Sequence, residues 1–207
     1  MTALKTTPTK SNLLDLRRQL GFALEGFELL DQKRQILALE LVRWAERLGQ
    51  AEHEVAEGLR RAHLALREAS LDSGSAALDR VALGVEPGHQ VSRTEQRLMG
   101  ISLPSVRVQL PAPPAFLGLR GTSPAADLAQ GRFAEVLTAL GSLAEAQGAV
   151  LRIGRELKRA QRRCNALTKM VIPDHRKAIR YVAGALEERE REAFMDRKLR
   201  SRRRAGS

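Results

Sequence analysis

The 207-residue chain holds four histidines and one cysteine, the side chains from which metal sites and nucleophiles are commonly built. Two histidines four residues apart on a helix would set both imidazoles on one face, ready for zinc. His53 and His63 are ten apart, and His89 and His175 stand alone. His53-Glu54 opens a metalloprotease-like pair, but no second histidine follows at the required spacing. Cys164 falls on an apolar helical stripe, the address of a small packed residue rather than of a nucleophile. One cysteine leaves no internal disulfide, which fits a reducing compartment. There is no GxxxxGK[ST] loop to cradle phosphates and no GxGxxG after a strand. Acidic pairs read as solvated or intrahelical partners of lysine and arginine. These residues predict no catalytic group, no metal and no cofactor.

The charge is more informative. Lys and Arg number 35 against 24 Asp and Glu, a net +11. Residues 1–71 and 72–130 are close to balanced, whereas residues 131–207 carry 19 basic against 9 acidic side chains. Either that third is a solvated helix surface with a basic tail, or it faces something acidic: nucleic acid, anionic lipid or an acidic protein surface. Aromatics are only 3%, which disfavours a compact core built on large rings. Leu, Ala, Glu and Arg dominate, as in long helices and coiled coils. No run approaches the ~18 apolar residues of a membrane span. The N-terminal residues 1–12 lack the apolar centre of a signal peptide.

Three segments must position whatever the surface does: 11–71, 72–123 and 124–204. With Leu13 at a heptad a position, the first reads Leu13, Leu20, Phe27, Arg34, Leu41, Leu48, Val55, Ala62 and Ala69 at a. The d positions read Leu16, Ala23, Leu30, Leu37, Trp44, Ala51, Gly58 and Ala65, so only Arg34 and Gly58 depart from an apolar seam. Such a run predicts a coiled-coil helix of roughly 90 Å, with Ser11 as N-cap. The middle segment carries Pro87, Pro104, Pro111, Pro113 and Pro114, with Gly74, Gly84, Gly88, Gly100, Gly118 and Gly121. It reads as an irregular connector, or as a β-hairpin pairing 91–99 with the Val106, Val108, Leu110 alternation and turning near 100–104. In the third segment Ser123 caps and Pro124 opens a helix. Its stripe runs Val136, Ala139, Leu143, Ala146, Val150, Ile153, Leu157, Ala160, Cys164, Leu167, Val171, then Ala178, Tyr181, Ala185, Met195 and Leu199. Asp174, Glu188 and Glu192 depart from it, and Pro173 predicts a kink rather than a stop. The fold class is mainly all-α. Two stripes of similar length on one chain pair antiparallel as a two-helix coiled coil with a short irregular or β-hairpin insert, because intramolecular pairing has the higher effective concentration. A parallel homodimer is the rival arrangement.

The helix ends carry a resemblance. Pro8-Thr9-Lys10-Ser11-Asn12-Leu13-Leu14-Asp15-Leu16-Arg17-Arg18-Gln19-Leu20 stands at one end of the chain. Arg162-Arg163-Cys164-Asn165-Ala166-Leu167 with Ile172-Pro173, followed by the string LEEREREAF over 186–194, stands near the other. Together they closely resemble the D-subunit family of the V/A-type rotary ATPases (ATP synthases), the central-stalk rotor shaft. The likeness covers both helices and is weak in the insert. Asp31-Gln32 and the stretch Asp196-Arg197-Lys198-Leu199 depart from the family's usual pattern.

The resemblance implies a non-catalytic subunit of an ATP-hydrolysing or ATP-synthesising, proton- or sodium-translocating complex. The partners it implies are the catalytic and nucleotide-binding subunits of a hexamer, a small stalk subunit, and a socket subunit above the membrane ring. It implies a place on the cytoplasmic side, peripheral to the membrane, with no direct insertion. Rotor-tip contacts with the hexamer are expected at Lys10, Asn12, Arg17, Glu190, Arg191, Phe194, Arg197 and Lys198. A shaft motif is expected at Asn165, Leu167, Ile172 and Pro173. Two other readings compete: a basic coiled coil binding nucleic acid, and a scaffold. Scarce aromatics for base stacking and the glutamates near the tail count against the first.

Overall fold

The computed structural model describes residues 7–83, 88–111 and 123–205, without the side chains of 81 and 202–205. Pro87, Pro113, Pro114, Gly84, Gly118 and Gly121 lie outside these residues. The elements run α1 (Lys10–Ser73), α2 (Ser75–Ala82), β1 (Gln90–Leu98), β2 (Ile101–Gln109), α3 (Pro124–Ala166), a π-helical turn (Leu167–Val171) and α4 (Ile172–Ala205). The chain divides into two compact units. One spans Leu37–Leu157; the other joins the chain up to Ile36 with the chain from Lys158 onward.

Helix α1 persists through its seam rather than through propensity alone: every a and d position named above is buried or half-buried. Its first turn is capped two residues earlier than Ser11, at Thr9. Thr9 Oγ1 accepts the Asn12 N–H at 3.3 Å and Thr9 O accepts the Leu13 N–H. Ser11 already lies inside the helix, where its hydroxyl has no orphan amide ahead to accept from. At the other end Gly74 takes φ +79° and donates its N–H to Ser70 O at 3.0 Å, a left-handed cap that glycine adopts without penalty.

In the Leu37–Leu157 unit, Leu37 and Ile153 are fully buried with Ala149, Ile101 and Leu103, and Leu41, Trp44, Leu98 and Leu157 pack around them. Farther along α1 the seam turns to small residues, with Ala51, Ala62, Ala65 and Ala69 buried in α1 and Ala126, Ala129 and Ala146 buried in α3. Gly58 is explained here: a Cβ on it would come within 3.1 Å of Val136 Cγ2. Pro124 is the first residue of α3, as its fixed φ favours, and Ser123 O accepts the Ala126 N–H. The Ser123 hydroxyl does not cap; its buried Oγ has no partner, while the Ser123 N–H donates to Ser73 Oγ at 3.0 Å.

The hairpin is antiparallel, in register from Leu98↔Ile101 to Gln90↔Gln109. Its turn is Met99-Gly100, both at positive φ, and not the 100–104 stretch expected from sequence. Two residues at positive φ match the twist of the strands, so the tighter turn wins. Pro104 then lies inside β2, opposite Glu95. Counting outward from the turn, Glu95↔Pro104 is a non-hydrogen-bonded pair, where the missing N–H would have pointed away from β1.

In the second unit the seam continues through Leu16, Ala160, Cys164, Ile172 and Val182, all buried. Arg34, the polar a position, reaches out of the seam: Nη1 donates to Gln161 Oε1 at 3.0 Å, and Nη2 pairs with Asp31 at 2.7 Å. Within this unit Lys10 meets Glu190 and Arg34 meets Gln161, so the helices run antiparallel and the homodimer is not needed to satisfy the stripe.

The seam changes phase at the π turn. The Ile172 N–H donates to Leu167 O, five residues back instead of four, so one extra residue is accommodated. The apolar stripe beyond it is therefore Ile172, His175, Ile179, Val182 and Leu186, and each is buried or half-buried. Tyr181, Met195 and Leu199, expected on the stripe, are exposed. Asp174, Glu188 and Glu192 were departures only on the unshifted register. Pro173 follows the wide turn directly. It has no N–H to place, and helix continues to Ala205.

Candidate functional site

At the chain ends, the unit that holds both brings some of the expected tip residues together. Lys10 Nζ lies 2.8 Å from Glu190 Oε1, and both side chains are largely exposed. The hydrogen bond from Lys10, then its charge, lowers the Glu190 carboxyl below its ordinary range. The same contact raises the Lys10 ammonium. One step away, Arg189 Nη1 donates to Pro8 O at 2.9 Å. Asn12 turns back on the chain: its Nδ2 donates to Thr7 O at 2.8 Å and to Thr7 Oγ1 at 3.0 Å, fixing the entry into α1.

The remaining tip residues sit on open helix surface. Arg17 and Lys198 are exposed. Arg191 pairs loosely with Glu188 at 3.6 Å, and Arg197 Nε donates to Ala193 O. Phe194 is exposed and, with Glu187, Glu190, Arg191 and Met195, lines a shallow open hollow of about 540 Å³ along one face of α4. Of the shaft motif, Ile172 is buried, Leu167 and Pro173 are half-buried, and Asn165 is exposed, its Oδ1 accepting from Gln161 Nε2 at 3.0 Å. The motif spans the π turn, and its Leu167 and Ile172 are joined by the turn's wide backbone bond.

Sequence reasoning missed how the hairpin is fastened. β2 lies against α3, where a Cβ on Gly141 or Gly148 would come within 2.7 Å of Val108 Cγ2 or Pro104 Cγ. Between these glycines, Glu145 Oε2 accepts the Val106 N–H at 2.8 Å, and farther along α3 Arg152 Nη1 donates to Ser102 O at 2.6 Å. Val106 and Ser102 are non-hydrogen-bonded positions of the ladder, so these two side chains satisfy the backbone edge that β1 leaves open. Glycines seven apart on α3 were the available signal. Glu95 is held below the usual carboxylate range by the Ser102 hydroxyl first, then by Arg93 and Arg152.

Among the described residues, no three His, Cys, Asp or Glu side chains gather where they could hold a metal. No described helix is long and apolar enough to cross a membrane. The structure is of a class built on long paired helices with an inserted hairpin and exposed charged side chains near the chain ends. The sequence profile of the family described as the D subunit of ATP synthase matches residues 12–201. A relative from Pyrococcus furiosus, an A-type ATP synthase D subunit, is 33% identical over 92% of this chain and 91% of its own. The V-type ATP synthase D subunit from Thermotoga neapolitana is 29% identical over 91% and 93%, and V-type ATP synthase D subunit 2 from Treponema pallidum 33% over 94% of each. The chain belongs to the family of ATP synthase D subunits. Membership decides against the nucleic-acid and scaffold readings, and it makes the chain one subunit among several in an A/V-type complex.

Proposed function

We propose that the chain is the non-catalytic central-stalk rotor of a V/A-type rotary ATPase, transmitting torque between a catalytic hexamer and a membrane ion-translocating ring. The observation that carries this is the family match across residues 12–201, which takes in both long helices and the hairpin. Physical reasoning supports the same role. Torque needs a stiff element, and two helices locked along a seam resist bending and twisting better than one. A basic surface turning among acidic loops is attracted at long range without fixed bidentate pairs that would lock one angle.

The partners in this reading are the catalytic and nucleotide-binding subunits around the shaft, a small stalk subunit beside it and a socket subunit above the ring, all on the cytoplasmic side. Lys10, Asn12, Arg17, Glu190, Arg191, Phe194, Arg197 and Lys198 form the tip that enters the hexamer. Asn165, Leu167, Ile172 and Pro173 fit the shaft to its collar. The segments divide as 11–71, 72–123 and 124–204. The test replaces Arg191, Arg197 and Lys198 with Ala and measures ATP hydrolysis and ion pumping in the assembled complex. Reduced pumping per ATP is expected; unchanged assembly and coupling remove the tip role.

A further inference from the structure

Two polar contacts frame one stretch of the seam in the unit holding the chain ends: Arg34 to Gln161 and Lys10 to Glu190. Antiparallel pairing sets the middles of 10–34 and 161–190 opposite each other, and both middles are loosely built. On the side of α3 and α4 the middle is the π turn with Pro173. Thr168 O loses its usual i+4 donor, because the Ile172 N–H reaches Leu167 O instead. Lys169 O has no such donor, because residue 173 is proline. None of Leu167–Val171 is buried. The Thr168 hydroxyl donates back to Cys164 O at 2.9 Å, a bond that tends to bend a helix. His175 then stands in the seam with a buried Nδ1 that has no partner, a cost an apolar side chain would not carry. On α1 the middle holds Gly21 and Gly26 around Ala23. Glycine weakens a helix interior, and packing does not call for it here: a Cβ on either would meet nothing within 4 Å. Gly58, Gly141 and Gly148 differ, since Val136, Val108 and Pro104 fill the space beside them. Gly49, Gly131, Gly154 and Gly184 share the freedom of Gly21 and Gly26 but stand singly.

We propose that these features form one compliant joint, at which the paired helices bend and twist more readily than on either side of it. Proline, a π turn and closely spaced glycines are recognised causes of helix bending. One soft helix would be splinted by a stiff partner, so a pair flexes only where both members yield at the same level. Here Gly21 and Gly26 yield on one helix, and the π turn with Pro173 yields on the other. The joint is read from the chain's own contacts, while its use rests on the rotor reading. In that reading the joint lets the chain-end segment follow the ring that grips it, while the stretch at Arg34 and Gln161 keeps its own alignment.

Amide hydrogen exchange on the full chain tests the joint. Amides of 21–27 and 168–176 should exchange at least about tenfold faster than those on both sides, 12–18 with 179–186 and 28–34 with 158–164. Fraying from the chain ends would give a gradient instead of this local maximum. Gly21→Ala with Gly26→Ala adds methyls into open space and raises helix propensity. The pair should slow 21–27 and also 168–176 across the seam, each by about fivefold or more, because the joint opens as one unit. A plain gradient in the parent, or slowing confined to α1, overturns the joint and leaves the rotor reading standing. The use is tested in the complex reconstituted with the full chain, through a bead attached by Thr94→Cys in a Cys164→Ala background. With hydrolysis stalled, the bead's angular fluctuation should be narrower for the double alanine variant than for the parent, and equal widths overturn the use. Failure of the unaltered chain to enter the complex overturns the rotor reading and that use with it, while the exchange result still decides the joint.

Discussion

The π turn makes insertion and deletion unequal. Ile172 already donates to Leu167 O across one residue more than an α-helix holds. Deleting Lys169, which is exposed, leaves that same bond as an ordinary i−4 bond and keeps Ile172, His175, Ile179, Val182 and Leu186 on the seam. Stability should stay within about 1 kcal/mol of the parent. Inserting one Ala after Lys169 adds a residue that the turn has no further room for, and rotates α4 by about 100° against α1. Ile172, 7% exposed, and Val182, 0% exposed, then leave the seam. At about 1.5–3 kcal/mol for each apolar side chain returned to water, the loss is about 3–6 kcal/mol, a fall in melting temperature of roughly 6–20 °C. Circular-dichroism melts measure both variants. Cysteines at positions 10 and 190, in a Cys164→Ala background, report the register through a short bifunctional cross-linker. The pair should react in the deletion and fail in the insertion. Equal destabilisation by the two changes would refute the re-phasing argument, since a plain helix treats them alike.

Other expectations follow from single contacts. Gly148→Ala places a methyl where Pro104 Cγ stands 2.7 Å away and should cost about 1–3 kcal/mol by denaturant unfolding. Gly154→Ala, with nothing within 4 Å, should instead stabilise by about 0.5–1 kcal/mol. Glu145→Ala leaves the half-buried Val106 N–H without its acceptor, at about 1–3 kcal/mol, and that amide should exchange faster with deuterium. The Lys10–Glu190 contact has a pH window. The Glu190 contribution is present above the ordinary carboxylate value of 4.5 and fades as pH falls through its lowered native value. The Lys10 contribution is present below 10.5 and fades as pH rises through its raised native value. Carboxyl NMR of Glu190 should therefore titrate below 4.5, and Lys10→Ala should return it to the ordinary value.

Sequence alone determined the two long helices and their seam, because a coiled-coil stripe is a local pattern repeated many times and a single misfit such as Arg34 cannot erase it. It determined the antiparallel sense as well, through chain economy, and placed Pro124 at a helix start. Tertiary structure decided the phase of α4. One residue absorbed at Leu167–Val171 moves burial from Tyr181 to Val182, and nothing within one heptad announces it, although Ile172, Ile179, Val182 and Leu186 already lay in the shifted register. Tertiary structure also decided the hairpin. The open edge of β2 has to find partners on α3, about 40 residues later for Val106 and Glu145, and such pairing leaves only glycines, one carboxylate and one guanidinium as its trace. The helix-starting cap moved from Ser11 to Thr9 for a similar reason: Asn12 and Thr7 hold the approach to the helix, and that geometry belongs to the folded chain rather than to either residue type.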